Sequence, residues 1–73
     1  MIAAMNHEIG LLAGEIWKTL HSKGEMNVAA LKKALGNSEI SPDWAIGWLA
    51  RENMIVLRKE RNTIKIALRT EGS

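Results

Sequence analysis

The hydrophobic period of this chain changes once, between Asn53 and Ile55. Before that point, apolar residues recur with the spacing of a helix, and after it they follow a two-residue alternation. The first pattern predicts helices and the second predicts strands. A chain of 73 residues has room for one domain. We therefore expect a single α+β domain over residues 1–73, with an ordered core of about residues 6–69.

The first helix is predicted by one apolar stripe. Its members follow the spacing i, i+3, i+4, i+7, i+8 and i+11: Ile9, Leu12, Ala13, Ile16, Trp17 and Leu20. This spacing predicts that the whole stripe, including Trp17, faces the core. Asn6 suits the N-cap of this helix, and Gly24 suits a left-handed cap at its C-terminal end.

A short extended segment and a second helix follow Gly24. Residues 25–27 are long enough for a short strand, and Asn27 suits the N-cap of the next helix. That helix has an apolar stripe made of Val28, Leu31, Ala34 and Leu35. The pair Gly36-Asn37 predicts its end, because glycine readily adopts the left-handed conformation of a helix C-cap.

The third helix has the clearest start signal in the chain. Ser41 suits the N-cap, Pro42 suits the first helical position, and Asp43 places negative charge in the first turn. The helical pattern runs to about Asn53, a residue type that suits a left-handed exit from a helix.

The C-terminal alternation predicts a hairpin whose polar tip is formed by residues 59–62. A loop of two or four residues pairs Leu57 with Ile66 and Ile55 with Leu68. Both pairs then share one face of the hairpin, which we expect to be the buried face.

The order of elements is helix, short strand, helix, helix and two-stranded hairpin. With a tight link between the second and third helices, this order predicts a winged helix-turn-helix: three helices plus a C-terminal β-hairpin wing. The third helix then takes the position of a recognition helix.

Two stretches resemble a small prokaryotic winged helix-turn-helix family of unknown function: "GLLAGEIWKTLHSKGEMNVAALKKALG" and "WAIGWLARENMI". The resemblance rests on a Gly…Ile-Trp motif in the first helix and a Gly-Trp-Leu-Ala-Arg-Glu motif in the third, and it covers roughly residues 8–68. It implies the fold and no established activity. Asn53 and Met54 replace the Gly and Leu that end the recognition helix in the wider pattern of winged-helix regulators.

Catalysis, cofactors and metal ions are not expected. The chain has no cysteine, no glycine-rich phosphate loop, and two histidines, His7 and His21, whose separation suits no shared metal site. The N-terminus lacks the basic and apolar regions of a signal peptide, and no apolar run approaches the length of a membrane span. We expect a cytoplasmic protein that does not insert into membranes.

The third helix carries its tryptophans away from its apolar stripe. On a wheel of about 100° per residue, Ala45, Ile46 and Leu49 point in one direction. Trp44 lies roughly 150° from that direction and Trp48 roughly 105°, which predicts that Trp44 is exposed and Trp48 is half-buried.

Two interpretations of these indoles remain open. One is an apolar interface, formed by Trp44, Gly47 and Trp48, that binds another protein or a second copy of the chain. Gly47 would let another backbone approach closely. The other is that one or both indoles fold back onto the first helix or the hairpin as ordinary core.

Half of the ten Lys and Arg residues lie in residues 55–73. The candidate nucleic-acid contacts are basic residues of the hairpin and of the end of the third helix: Arg51, Arg58, Lys59, Arg61 and Lys65. They predict weak, phosphate-directed binding of double-stranded DNA. The alternative is a solvated strand edge on which these charges oppose aggregation.

Two classes of function therefore remain. The first is a DNA-binding or transcription-associated module that uses the basic wing. The second is a protein-interaction or homodimerisation module that uses Trp44 and Trp48 and reads no DNA sequence. The frequency of DNA binding among winged helices favours the first class. The outward face of the third helix favours the second, because reading base edges requires polar side chains there.

Overall fold

A computed structural model describes residues 6–36 and 40–69. The elements in chain order are α1 (Asn6–Lys23), β1 (Met26–Asn27), α2 (Val28–Leu35), α3 (Pro42–Arg51), β2 (Ile55–Glu60) and β3 (Thr63–Leu68). This is the predicted order of three helices, a short strand between the first two, and a C-terminal hairpin. The α+β winged helix-turn-helix fold is confirmed.

Side chains cap two of the helices where the sequence predicts them. The Asn27 side-chain oxygen accepts a hydrogen bond of 2.6 Å from the Ala30 N–H at the start of α2. The Ser41 hydroxyl accepts one of 3.2 Å from the Asp43 N–H at the start of α3. These bonds satisfy backbone donors that have no partner inside a helix. The capping role predicted for the Asn6 side chain lies outside what is described, as does Asn37.

Left-handed residues end the helices. Gly24 (φ 78°) closes α1 and Gly36 (φ 74°) closes α2, as predicted. Helix α3 ends at Arg51, two residues earlier than predicted. Asn53 (φ 65°) then turns the chain into β2, so the left-handed exit predicted there is confirmed.

The three strands form one antiparallel sheet in the order β1-β3-β2. Leu57 pairs with Ile66 and Ile55 with Leu68, which is the predicted register. A two-residue loop, Arg61 and Asn62, joins β2 to β3, with Arg61 at a φ of 56°.

Aliphatic side chains from all three helices and from β2 and β3 make the core. Its buried members are Leu12, Ala13, Ile16, Leu20, Leu31, Ala45, Ile46, Leu49, Ile55 and Ile66. Among the described residues, no aromatic side chain is buried. The prediction that Trp17 belongs to the core is wrong, because 39% of Trp17 is exposed. Trp17 lies roughly 85° from the centre of the buried stripe of α1, on its flank.

The prediction that the whole Leu57–Ile66 pair is buried is also wrong. Ile66 is fully buried, whereas 43% of Leu57 is exposed. Ile66 lies on the central strand, where β1 covers one of its sides, and Leu57 lies on the edge strand β2. Pairing therefore places both residues on one face of the sheet, but it does not make them equally buried.

This difference predicts unequal costs for two neighbouring truncations. We expect Ile66→Ala to lower the free energy of unfolding by about 2–5 kcal/mol, because it leaves a cavity in the core. Leu57→Ala, its partner across the ladder, should cost less than about 1 kcal/mol. Urea denaturation of both variants at one protein concentration measures the two values. Equal costs would contradict the described burial of the hairpin.

Candidate functional site

Helix α3 presents an indole face to solvent. Its buried residues Ala45, Ile46 and Leu49 hold the opposite side of the helix in the core. Trp44 is 53% exposed and Trp48 is 45% exposed. The exposure predicted for Trp44 is confirmed, and the 45% exposure of Trp48 agrees with the predicted half-burial. The alternative that these indoles join the core is wrong.

Gly47 lies beside the two indoles, and it is exposed. A Cβ atom added at Gly47 would meet nothing within 4 Å. Among the described residues, no contact therefore requires glycine at this position of α3, where glycine costs the helix about 1 kcal/mol relative to alanine. That Trp44, Gly47 and Trp48 form a protein interface stays a prediction.

A groove of about 390 Å³ runs between α1 and α3. Its lining is almost entirely apolar and comprises Gly10, Ala13, Gly14, Trp17, Lys18, Trp48, Leu49 and Met54. A Cβ atom added at Gly10 or Gly14 would meet nothing within 4 Å, so the two glycines keep the groove open along α1. We call this feature the α1–α3 groove.

Trp17 and Trp48 line the α1–α3 groove from the two helices. The Trp17 ring stacks on the His21 ring, with centroids 4.8 Å apart and planes inclined by 13°. The sequence contains a signal for this groove that is separate from the buried stripe of α1. Gly10, Gly14 and Trp17 follow the spacing i, i+4 and i+7, which places them within roughly 60° of one another on the wheel of α1.

The ionisable groups of α3 lie at its two ends. Asp43 forms an ion pair with Lys32 of α2, with 2.8 Å between Nζ and Oδ1. The hydrogen bond from Lys32 lowers the pKa of Asp43 below its ordinary value of 3.8, so the carboxylate is charged near neutral pH. Arg51 is exposed and pairs with no acidic side chain among the described residues. Asp43 and Arg51 each stand four residues from Gly47.

In the wing, one basic side chain forms ion pairs with carboxylates, and several others form none among the described residues. The Arg58 guanidinium contacts the carboxylates of Glu25 and Glu60, which raise its pKa. Within the described ranges, Lys59, Arg61 and Lys65 form no ion pair, and Lys65 is half-buried. Of the basic residues predicted to contact nucleic acid, Arg58 thus adds least to the net field of the wing. A role in nucleic-acid binding stays a prediction for all of them.

Neither a metal cluster nor a membrane span occurs in residues 6–36 and 40–69. No three His, Cys, Asp or Glu side chains of these ranges lie together as metal ligands would. None of the described helices is long and apolar enough to cross a membrane.

The capped helix pair α2–α3 and the hairpin that follows α3 define a winged helix-turn-helix domain. The chain belongs to the family described as "Winged helix-turn-helix domain (DUF2582)", whose model matches residues 4–68. The resemblance seen in the sequence is therefore confirmed. None of the curated proteins compared with the chain matches it. Function has to be argued from the surfaces described above, because a fold does not determine one.

Proposed function

We propose that this chain is a non-catalytic protein-interaction module that forms a homodimer through the exposed face of α3. The observation that carries the proposal is the exposure of Trp44 and Trp48 beside Gly47, whose surroundings are open. At about 250 Å² for a whole residue, Trp17, Trp44 and Trp48 together expose roughly 350 Å² of aromatic surface. This area is in the range of the largest apolar patch on a typical monomer, about 300–600 Å², and such a patch is often functional.

The charges of α3 favour a second copy of the chain as the partner. Asp43, Gly47 and Arg51 lie at four-residue intervals, within roughly 80° of one another on the helix. If two α3 helices cross in antiparallel directions at Gly47, Asp43 of each copy faces the partner's Arg51. The exposed Arg51 then gains a carboxylate, and two-fold symmetry forms the pair twice.

The indoles fit the same two-fold arrangement. Trp44 and Trp48 lie on one side of Gly47, at roughly 60° and 100° around the helix. A two-fold axis through the crossing point keeps all four indoles on that side of the dimer. Trp44 then lies against the partner's Trp48, so that both lose contact with water. Burial of apolar surface supplies the main driving force for association, and the charge pairs select the orientation.

Charge reversal tests this orientation. We expect Arg51→Asp to weaken dimerisation about tenfold, because Asp43 then faces a second carboxylate in place of a guanidinium. Asp43→Arg should also weaken it, and it removes the ion pair with Lys32 as well. The double variant should bind more tightly than either single variant, because the pair across the interface is restored in reverse. Sedimentation equilibrium over a range of protein concentrations measures each dissociation constant.

Two further variants serve as controls. Lys33→Asp changes an exposed charge of α2 and should leave the dimer intact. Gly47→Ala should stabilise the monomer by up to about 1 kcal/mol through helix propensity, and it should still weaken dimerisation by preventing close approach. A wild-type chain that stays monomeric at high concentration would overturn the proposal. A double variant no better than its parents would overturn the antiparallel crossing.

A second candidate function is weak, phosphate-directed binding of double-stranded DNA by the wing. The observation that favours it is the absence of ion pairs at Lys59 and Arg61 among the described residues, which leaves both charges available to phosphates. A dimer formed through α3 would leave the tip of the wing exposed. It would also cover the helix that reads bases in other winged helices, so this binding would be independent of sequence.

Matched neutralisations test the wing. We expect Lys59→Gln and Arg61→Gln each to lower the slope of log affinity against log salt by about 0.9, the value for one lost phosphate contact. Arg58→Gln should change the slope less, because Glu25 and Glu60 already compensate that charge. Fluorescence anisotropy with a labelled mixed-sequence duplex measures the slopes. Absence of binding at low salt would contradict this second function.

A further inference from the structure

The α1–α3 groove is an apolar surface that no part of residues 6–36 and 40–69 fills. Gly10 and Gly14 leave it open along α1, and Trp17 and Trp48 line it with indole rings. Water in such a groove finds few hydrogen-bond partners, so filling it with an apolar group is favourable.

We infer that the α1–α3 groove of each copy receives the Trp44 indole of the other, so that the partner completes the site. The inference rests on the proposed homodimer and specifies its central contact. Each chain then supplies both a projecting indole and a groove. An interface between identical chains needs such a self-complementary pair.

The size of the groove suits an indole. An apolar protein cavity of roughly 150 Å³ accommodates a benzene ring. The α1–α3 groove, which is open to solvent, has a volume of about 390 Å³, which leaves room for a bicyclic ring and for adjustment of its lining. Trp44 is the most exposed of the three tryptophans, so its ring is available for insertion.

The antiparallel crossing brings Trp44 to the correct level. With a rise of about 1.5 Å per residue, Trp44 lies about 4.5 Å before Gly47 along α3, and Trp48 lies about 1.5 Å after it. Reversal of the partner helix places Trp44 within about 3 Å, along the helix axis, of the partner's Trp48. Since Trp48 lines the groove, this level places the Trp44 ring at the side of the groove that Trp48 forms.

The residue types of the groove follow from this contact. A side chain larger than hydrogen at Gly10 or Gly14 would occupy the space of the incoming ring, although neither position is crowded within one chain. Trp17, which is not part of the core, gains a second aromatic partner besides His21. Aromatic pairs of this kind add to the energy of burial alone, which explains why an exposed Trp17 is useful on α1.

The decisive measurement is isotope-filtered nuclear Overhauser spectroscopy on a mixture of ¹³C-labelled and unlabelled chains. We expect intermolecular cross-peaks between the Trp44 ring protons and the α-protons of Gly10 and Gly14. Trp44→Phe identifies the ring by removing its indole signals.

A groove-filling variant gives an independent readout. We expect Gly14→Leu to raise the dimer dissociation constant about a hundredfold, because the leucine side chain occupies the groove. Its circular dichroism should stay that of a folded chain, because residue 14 is exposed and the added Cβ meets nothing within 4 Å. Ser22→Leu, an exposed position of α1 away from the groove, should change the constant less than about twofold.

The outcomes separate the two proposals. A dimer without Trp44 cross-peaks to α1, whose affinity Gly14→Leu leaves unchanged, would overturn the groove contact and leave the homodimer in place. A monomer under all conditions would overturn both. Cross-peaks together with a weakened Gly14→Leu dimer establish the exchange of Trp44.

Discussion

Aliphatic packing of α1 and α2 against α3 and the sheet is the constraint on which the remaining features depend. Five residues, Ile16, Leu20, Leu31, Leu49 and Ile66, fill the centre of this core and are almost completely buried. With the centre closed by branched side chains, Trp17, Trp44 and Trp48, the chain's only aromatic residues, stay on the surface. The small core therefore contains none of these three large side chains, and their rings stay accessible to other molecules.

Most of the fold follows from local signals in the sequence. Asn27 and Ser41 cap their helices, Gly24 and Gly36 end theirs, and the alternation after Asn53 sets the register of the hairpin. Each of these features depends on a few neighbouring residues. The two errors concern cover by distant elements. Periodicity assigns Trp17 to a face of α1 and Leu57 to a face of the hairpin. It does not show how much of that face the neighbouring elements cover.

The candidate site was only partly predictable. The exposure of Trp44 and Gly47 follows from the wheel of α3 alone, whereas the α1–α3 groove requires a second face on α1 and the packing of two helices. The compensation of Arg58 by Glu25 joins residues 33 positions apart, across the sheet, and no local pattern reveals it. The structure is a winged helix-turn-helix domain whose third helix exposes Trp44 and Trp48. The proposed function therefore rests on the exposed residues of α3 and on the α1–α3 groove, because a fold alone does not determine a function.

The most direct test of the central claim uses a single cysteine at the proposed crossing point. The chain contains no cysteine, so Gly47→Cys introduces one thiol, and Ser22→Cys provides a control on the exposed surface of α1. Two α3 helices that cross at residue 47 bring the paired Cα atoms within the roughly 4.4–6.8 Å that a disulfide spans. The added side chain should weaken the reversible dimer, as Gly47→Ala does, so the oxidation is carried out at a protein concentration high enough to form it. We expect mild oxidation to convert Gly47→Cys, and not Ser22→Cys, into a covalent dimer on a non-reducing gel. Cross-linking of Gly47→Cys no faster than the control would contradict the account.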